Sequence, residues 1–534
     1  MTTQRTALVV NDEELETLRA PIDGIVLEQR GSKPDELTLA EGPFSVYERT
    51  LSVTPGEHPG THSVTEDVEW KLSVPIFGVL FWFPFWLHVR SGQKNPSPWW
   101  APAGRLDTRA GRAIGLLGVI AVVNGFLGTV IGQTLTFAAD DFCNEFSTTA
   151  DGLRTCVDAA HDTSARANVF TIVRISIVLS LGLTVAADRF GRKRALTVAV
   201  TISCLATAAG ALAPNLAVLT ATQIVSRGFA TGITIVLLVF ASEELPPKSR
   251  AYGVSMLILL AGLGAGMVIW ILPLADVAVW GWRLVYAAAL LFVPLALWAG
   301  SKLPTTRRFA LHERRGAKQS LAELWNNPKL RRRLMLLGTG ALLATIFASP
   351  ASQFDNQFLR DELGFSASRI AFFTLVTSTP IGIGVLAGGI LSDRIGRRPI
   401  GAFGTAVGVT MSVVSFFSGS LLIFPVRAIG TIPGSGFAVA GLAVYGPELF
   451  PTRLRGTANG VITAFGVIGS VIGLQLVGRL AEEFDAFGPA LAVAAVGPAA
   501  LILLILLRYP ETANLTLEEL NDEDPLDTSP AVSE

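Results

Sequence analysis

DRFGRKR at residues 188–194 and DRIGRRP at residues 393–399 are two copies of one phrase, set 205 residues apart. A second pair keeps that offset. EELPPKSRAYG (243–253) aligns with ELFPTRLRGTANG (448–460), so that Glu243 meets Glu448, Pro246 meets Pro451 and Arg250 meets Arg455. Two unrelated phrases agreeing on one spacing point to an internal duplication. The chain therefore carries two copies of one structural unit.

Outward from these phrases the sequence divides into apolar segments of spanning length, about 20 residues each. Six lie at roughly 112–138, 167–187, 195–213, 216–241, 251–275 and 281–300. Six more lie at roughly 334–354, 370–391, 399–417, 420–446, 457–478 and 486–507. Each phrase pair falls after the second and the fourth segment of its half. Composition agrees: 50% of the 534 residues are hydrophobic and 16% are charged, against about 25% charged in soluble proteins. A single soluble globule is excluded. The expected fold is an all-α polytopic membrane protein, with twelve transmembrane helices in two pseudo-symmetric six-helix bundles. The bundles occupy 111–300 and 334–508, joined by a linker at 301–333, with an acidic tail at 509–534.

Loop charge sets the expected orientation. The linker holds ten lysines and arginines, and the two arginine phrases add seven, whereas loop 139–166 has only Arg154 and Arg166. The linker and both termini are expected in the cytoplasm of a multi-pass plasma-membrane protein, with a bacterial inner membrane as the expected setting. Loop 139–166 then faces outward and contains Cys143 and Cys156. A disulfide and two free thiols both remain open there. The formal charge of −1 gives no sign of nucleic-acid binding. Three cysteines and five histidines without ligand spacing suggest no metal and no cofactor.

Residues 1–110 stand apart as an extension. The opening to Lys71 is polar, so insertion is expected to be directed by internal helices. Phe44–Val53 and His62–Val74 alternate like strands around TPGEHPG and predict a β-hairpin. PIFGVLFWFPFWLHV (75–89) is apolar but short, and reads as an interfacial or re-entrant segment. Trp99 and Trp100 fit an interfacial belt, and LTLEEL near the C-terminus predicts a short helix.

The repeated phrases have a physical use. Each places a carboxylate at a helix end beside a glycine turn and several guanidiniums, which bind carboxylates bidentately and keep their charge. Asp188, Arg189, Gly191, Arg192, Glu243 and Arg250 in one half, with Asp393, Arg394, Gly396, Arg397, Glu448 and Arg455 in the other, form a candidate cytoplasmic gate. Simple anchoring by the positive-inside effect is the alternative for the arginines.

These phrases resemble the signature loops of the major facilitator superfamily. The Glu–Pro–Arg loops, GWR (281–283) and PETANLTLEEL (510–520) resemble its sugar-porter and metabolite:proton symporter branches. The resemblance spans about residues 110–520. It implies a central site between two rocking bundles, alternating access, a small-molecule substrate and a proton as a candidate coupling ion. The chain departs from the pattern at Thr184, where a glycine is usual. It departs again in VNGFLGTVIG (123–132), where Asn124 and Leu127 stand in place of coupling aspartates. GLGAG (262–266) reads as close helix packing.

Ionisable groups inside a span are costly and mark function by default. Arg174, Arg227 and Arg427 lie deep in helices two, four and ten, with no carboxylate at comparable depth in the sequence. Arg227 begins RGFATG, which resembles the family's helix-four arginine motif. Arg174 and Arg283 read more simply as snorkelling groups. The candidate substrate-binding set is Arg227, Arg427, Asn124, Gln133, Gln223, Gln353, Asn356 and Gln357. Asp140, Asp141 and Asp355 are the nearest acids for proton coupling, and GTIPGSG (430–436) should kink helix ten. No nucleophile–base set suggests an enzyme. The expected function is secondary transport of a small organic anion or metabolite by a monomer in the lipid membrane. Alternatives are a sugar or polyol transporter, an exporter of amphipathic compounds, or a transporter-derived sensor acting through the extension.

Overall fold

The computed structural model describes residues 2–513, apart from 34, 59, 92–97, 99, 103, 144–145, 149–153, 157–162, 247–248, 305–316, 444 and 452–453. The extension is larger in β structure than its hairpin suggests. Five antiparallel strands run β1 (Thr2–Asn11), β2 (Leu27–Arg30), β3 (Glu36–Glu41), β4 (Phe44–Pro55) and β5 (Thr61–Leu72), in the spatial order β1-β5-β4-β3-β2. The expected hairpin is the β4–β5 pair, with Val53 opposite Val64. The other strands carry little alternation. In β1, Val9 is 72% exposed while Gln4 is buried, so register comes from pairing with β5 and not from a hydrophobic face.

Helix α1 (Asp12–Arg19) starts on a capping box, Asn11 with Glu14, and carries three acids in its first turn. Under the sheet a buried Arg49 bonds both carboxylate oxygens of Glu28, reaches Glu66 at 3.3 Å, and donates to the carbonyls of Leu18 and Ala20. Burial pushes the Glu66 carboxyl above its ordinary range, against the pull of Arg49.

The apolar segment 75–89 forms helix α2 (Gly78–Arg90), too short to cross a bilayer. Phe85 and Val89 bury against Phe44, Tyr47, Val68 and Trp70 of the sheet and against Val26 just before β2. Val79, Leu80, Trp82, Phe83 and Leu87 remain exposed on the other side. Trp100 packs edge-on against His88 and joins this cluster. The extension leans on the membrane part through span 1. A Cβ at Gly115 would come within 2.4 Å of Pro75, a contact only glycine permits.

Helical segments occupy every expected span position. Span 1 is Thr108–Asp141, and span 2 joins Thr163–Ile175 to Ile177–Phe190. Spans 3 to 6 follow at Arg192–Gly210, Leu216–Glu244, Arg250–Ile271 and Trp282–Lys302, the last interrupted at Ala288. Helix Ala317–Asn326 lies in the linker. Span 7 is Pro328–Gln353, continued by short turns to Glu362, and span 8 joins Ala367–Ser378 to Ile381–Ile395. Spans 9 to 12 are Arg397–Phe416, Ile423–Leu442, Arg455–Phe484 and Phe487–Arg508. Among the described residues nine helices are long and apolar enough to cross a membrane, with a shorter apolar helix at Ile423–Val439. Span 10 opens into a π-turn at Ile432–Gly436, where Pro433 lacks an N–H for the helix ladder.

Spans 1 and 5 pack backbone to backbone, for a Cβ at Gly264 would lie 1.8 Å from the Val122 carbonyl. That is the close packing expected of GLGAG. In the loop after span 1, β6 (Phe146–Thr148) pairs with β7 (Arg154–Cys156). Cys143 is disulfide-bonded, while Cys204 is a free buried thiol; the third cysteine of the chain is Cys156. LTLEEL falls outside the described residues.

Candidate functional site

Span 1 is almost wholly buried, because it runs through the middle of its half with neighbours on every side. One stripe of it, Gly128, Thr129, Gly132 and Gln133, instead faces a cavity of about 160 Å³. The residues recur at helical spacing, and the two glycines leave space where side chains would stand. Ile131 of span 1, Phe170, Val173 and Arg174 of span 2, Arg227 of span 4, and Ser352 and Gln353 of span 7 complete the wall. Both halves therefore contribute, as a central site between two bundles requires.

Arg174 and Arg227 line the same cavity. Neither has an acidic partner among the described residues. Two such charges facing one cavity are the unusual feature of the site, since unpaired guanidiniums in low dielectric are costly. Arg174 is thus a cavity residue, and the snorkelling reading gives way for it. Thr129, Ser352 and Phe170 also line the cavity and were missing from the candidate set. Thr129 stands four residues before Gln133, a helical spacing that could have marked it.

The other candidates divide by place. Gln133 and Gln353 line the cavity. Asn356 donates to the Gln133 carbonyl at 2.8 Å and to its side-chain oxygen at 3.0 Å, closing the cavity at one end. Gln357 donates to Thr163 at 2.9 Å, between spans 7 and 2. Asn124 donates to Thr234 at 2.8 Å, between spans 1 and 4. Gln223 is fully buried one helical turn before Arg227, and neither polar atom of its side chain has a partner among the described residues.

Arg427 departs from expectation. It pairs with Asp355 at 2.7 Å, donates to the Ser415 hydroxyl at 2.6 Å, and stacks over Phe416. The idea that no carboxylate reaches it fails because Asp355, remote in sequence, is brought there by the end of span 7. The other two acids are also paired, Asp140 with Arg360 at 2.6 Å and Asp141 with Arg283 at 2.9 Å. Arg283 further donates to the carbonyls of Ala211 and Ala213, so it is a structural cross-brace and not a snorkelling group.

Bonds between the halves gather at the end that carries loop 139–166. Arg166 meets Asp361 at 3.1 Å, and Asp276 accepts the backbone N–H groups of Ala367 and Ser368 at 2.7 Å each. Glu482 accepts the Ser164 N–H at 2.6 Å, and Gln475 donates to Asn168 at 2.9 Å. At the opposite end the described ion pairs stay within a half, Arg397 with Glu448 and Arg109 with Glu244. Gly191 and Gly396 take φ of +92° and +123°, which L side chains rarely adopt, and so turn each arginine phrase into its next span. Arg192 is half-buried and Arg394 exposed; the side chains of Asp188, Arg189, Glu243, Arg250, Asp393 and Arg455 lie outside the described set. Glu511, after span 12, accepts the N–H groups of Arg397 and Arg398 at the start of span 9. Burial raises its carboxyl, but bonds from Ala513, Arg397, Arg398 and Thr512 outweigh this and hold it below its ordinary range.

Among curated proteins none matches the chain. Solved structures share its fold at low identity. The nucleoside transporter NupG is 12% identical, with a TM-score of 0.59, covering 74% of this chain and 100% of its own. The inward-open xylose transporter XylE from E. coli is 15% identical, with a TM-score of 0.58, covering 77% and 98%. A bacterial homologue of the human lysosomal transporter Spinster, inward-facing and occupied, is 18% identical, with a TM-score of 0.53, covering 75% and 95%. The profile of the Major Facilitator Superfamily matches residues 117–474 and again 345–531. With that profile matching most of the chain and both bundles lining one cavity, this membrane-spanning chain belongs to the major facilitator superfamily, and its work is secondary transport of a small solute.

Proposed function

We propose that the solute is a small organic anion, bound in the central cavity by Arg227 and Arg174. The observation that carries this reading is the pair of guanidiniums facing one cavity without an acidic partner among the described residues. A carboxylate would complete the charge balance through bidentate bonds, while Gln133, Gln353, Thr129 and Ser352 fix its polar groups. Arg427 with Asp355, and Gln223, Asn124 and Gln357, support the walls from outside. The protein works as a monomer in the plasma membrane with its termini and linker in the cytoplasm. The sealed end is then the outer one, and the arginine phrases form the cytoplasmic gate that closes when the halves rock. Ion pairing of Asp140, Asp141 and Asp355 favours exchange of like anions over proton symport. The amide and hydroxyl lining favours a second reading, a neutral polyhydroxylated solute.

Thermal stabilisation of the protein in lipid nanodiscs, screened with carboxylates and sugars, tests both. A ligand at 100 times its Kd should stabilise by about 2.7 kcal/mol. Stabilisation by a carboxylate that is lost in Arg227→Gln establishes anion recognition. Stabilisation by sugars alone, indifferent to that change, moves the reading to the neutral solute.

A further inference from the structure

A second cavity, of about 240 Å³, lies where the extension meets the membrane part. It is lined by Phe44 of the sheet, Phe81 and Phe85 of α2, Trp100, Ile114 of span 1 and Tyr252 of span 5. Its walls are fixed by bonds across the junction and within the extension beside it. Thr108 donates to the Phe44 carbonyl at 2.9 Å, Ser249 donates to the Gly104 carbonyl at 2.6 Å, and Arg105 donates to the Gly24 carbonyl at 3.0 Å. The cavity is therefore built before any ligand arrives.

We propose that this cavity is a binding site for a small neutral aromatic molecule with one polar substituent. Size limits the occupant to about one or two rings: an apolar cavity of about 150 Å³ accepts benzene, and drug-sized ligands use about 300 Å³ or more. Charge excludes an anion as the preferred guest. Arg105, at the rim, is already neutralised by Asp23 and by Glu41 at 3.5 Å. Ring chemistry favours an aromatic guest, since Phe44, Phe85 and Trp100 offer both faces and edges. The Tyr252 hydroxyl has no hydrogen-bond partner among the described residues, and it is the uncharged side-chain polar group offered to a guest. The ligand touches extension and bundle together, so its binding is linked to their docking.

1-Naphthol, a neutral two-ring phenol, is the probe. Titrated calorimetrically into the full chain in nanodiscs, with empty nanodiscs subtracted, it should saturate at one site per chain. Ala101→Trp, which fills the cavity, and Ile114→Phe, which shortens it, should each weaken binding at least tenfold, about 1.4 kcal/mol. Tyr252→Phe should weaken it severalfold while leaving the capacity at one site. A carboxylate recognised through Arg227 should not compete, which separates this site from the central one. Absence of saturable binding, or binding that survives both filling variants, overturns the proposal. Saturable binding of dodecanoate with the same Ala101 sensitivity, in place of 1-naphthol, also overturns it and makes the cavity an acyl-chain site.

Discussion

Span 4 and span 10 are counterparts in the duplication, yet their arginines live differently. Arg227 faces a cavity with Arg174 beside it and no acidic partner among the described residues. Arg427 is neutralised by Asp355, bonded to Ser415 and covered by Phe416. At the shared offset of 205, Arg227 corresponds to Ile432 and Arg427 to Thr222, so neither charge has an inherited twin. A duplicated scaffold can keep its helix packing while the two halves diverge, one arginine facing a cavity and the other paired as a brace. Helix packing depends on the apolar stripe, which both copies retain, whereas a charge needs a partner supplied from elsewhere.

The sharpest break in this comparison would come from Arg427→Gln. Removing it leaves Asp355 largely buried without its partner, and should cost about 3 kcal/mol of stability, read as a lower unfolding midpoint. Adding Asp355→Asn should recover part of that loss, with a coupling of about 2 kcal/mol in the double-mutant cycle. If Arg427→Gln is silent in stability but abolishes ligand response, bracing and binding have been assigned to the wrong arginines. Next in size, Arg227→Gln should raise the unliganded midpoint, because it removes a costly buried charge, and weaken a bound carboxylate about thirtyfold, as loss of roughly 2 kcal/mol of charged hydrogen bonding implies.

The halves also differ at the ends of their last spans. Pro510–Glu511 follows span 12, and Pro304–Thr305 follows span 6, so only the second half places a carboxylate there. Glu511→Gln should destabilise the start of span 9 by about 1–2 kcal/mol, visible in amide exchange of Arg397 and Arg398. The pH sign follows from its lowered pKa. The bonds are fully present at neutral pH and above the ordinary carboxylate range, and are lost as pH falls through and below that range. Equal exchange at pH 7 and pH 3 would contradict this. The smallest effect concerns Gln223, whose counterpart at the shared offset is Ala428. Gln223→Leu should stabilise the unliganded protein slightly, by about 1 kcal/mol or less, because it removes two unpartnered buried polar atoms. Destabilisation would show that the amide is satisfied by bound water.

Much of the scaffold was legible because its signals are local. Spanning length, apolar runs and two phrases at one offset need no knowledge of what touches what. Pro433 marked the opened turn of span 10 for the same reason, since the missing N–H is a property of that residue alone. The extension was legible only where its strands alternate. Strands β1, β2 and β3 are held by pairing partners and by the buried Arg49–Glu28 pair, and β1 in particular lacks a continuous apolar face. In the cavity, residue type found Arg227, Gln133 and Gln353, but not the role of Arg174. A guanidinium near a helix end reads as snorkelling until its neighbours are known.

The sequence by itself determined that this protein lies in a membrane, that it is duplicated, and that its arginine phrases recur at matching helix ends, because hydropathy and spacing are written along the chain. Only the tertiary structure decided which buried charges are balanced. A charge in low dielectric is governed by whatever stands within a few ångströms, and those neighbours arrive from helices far apart in sequence. Asp355 reaches Arg427 across 72 residues, and none of the acids described here reaches Arg227.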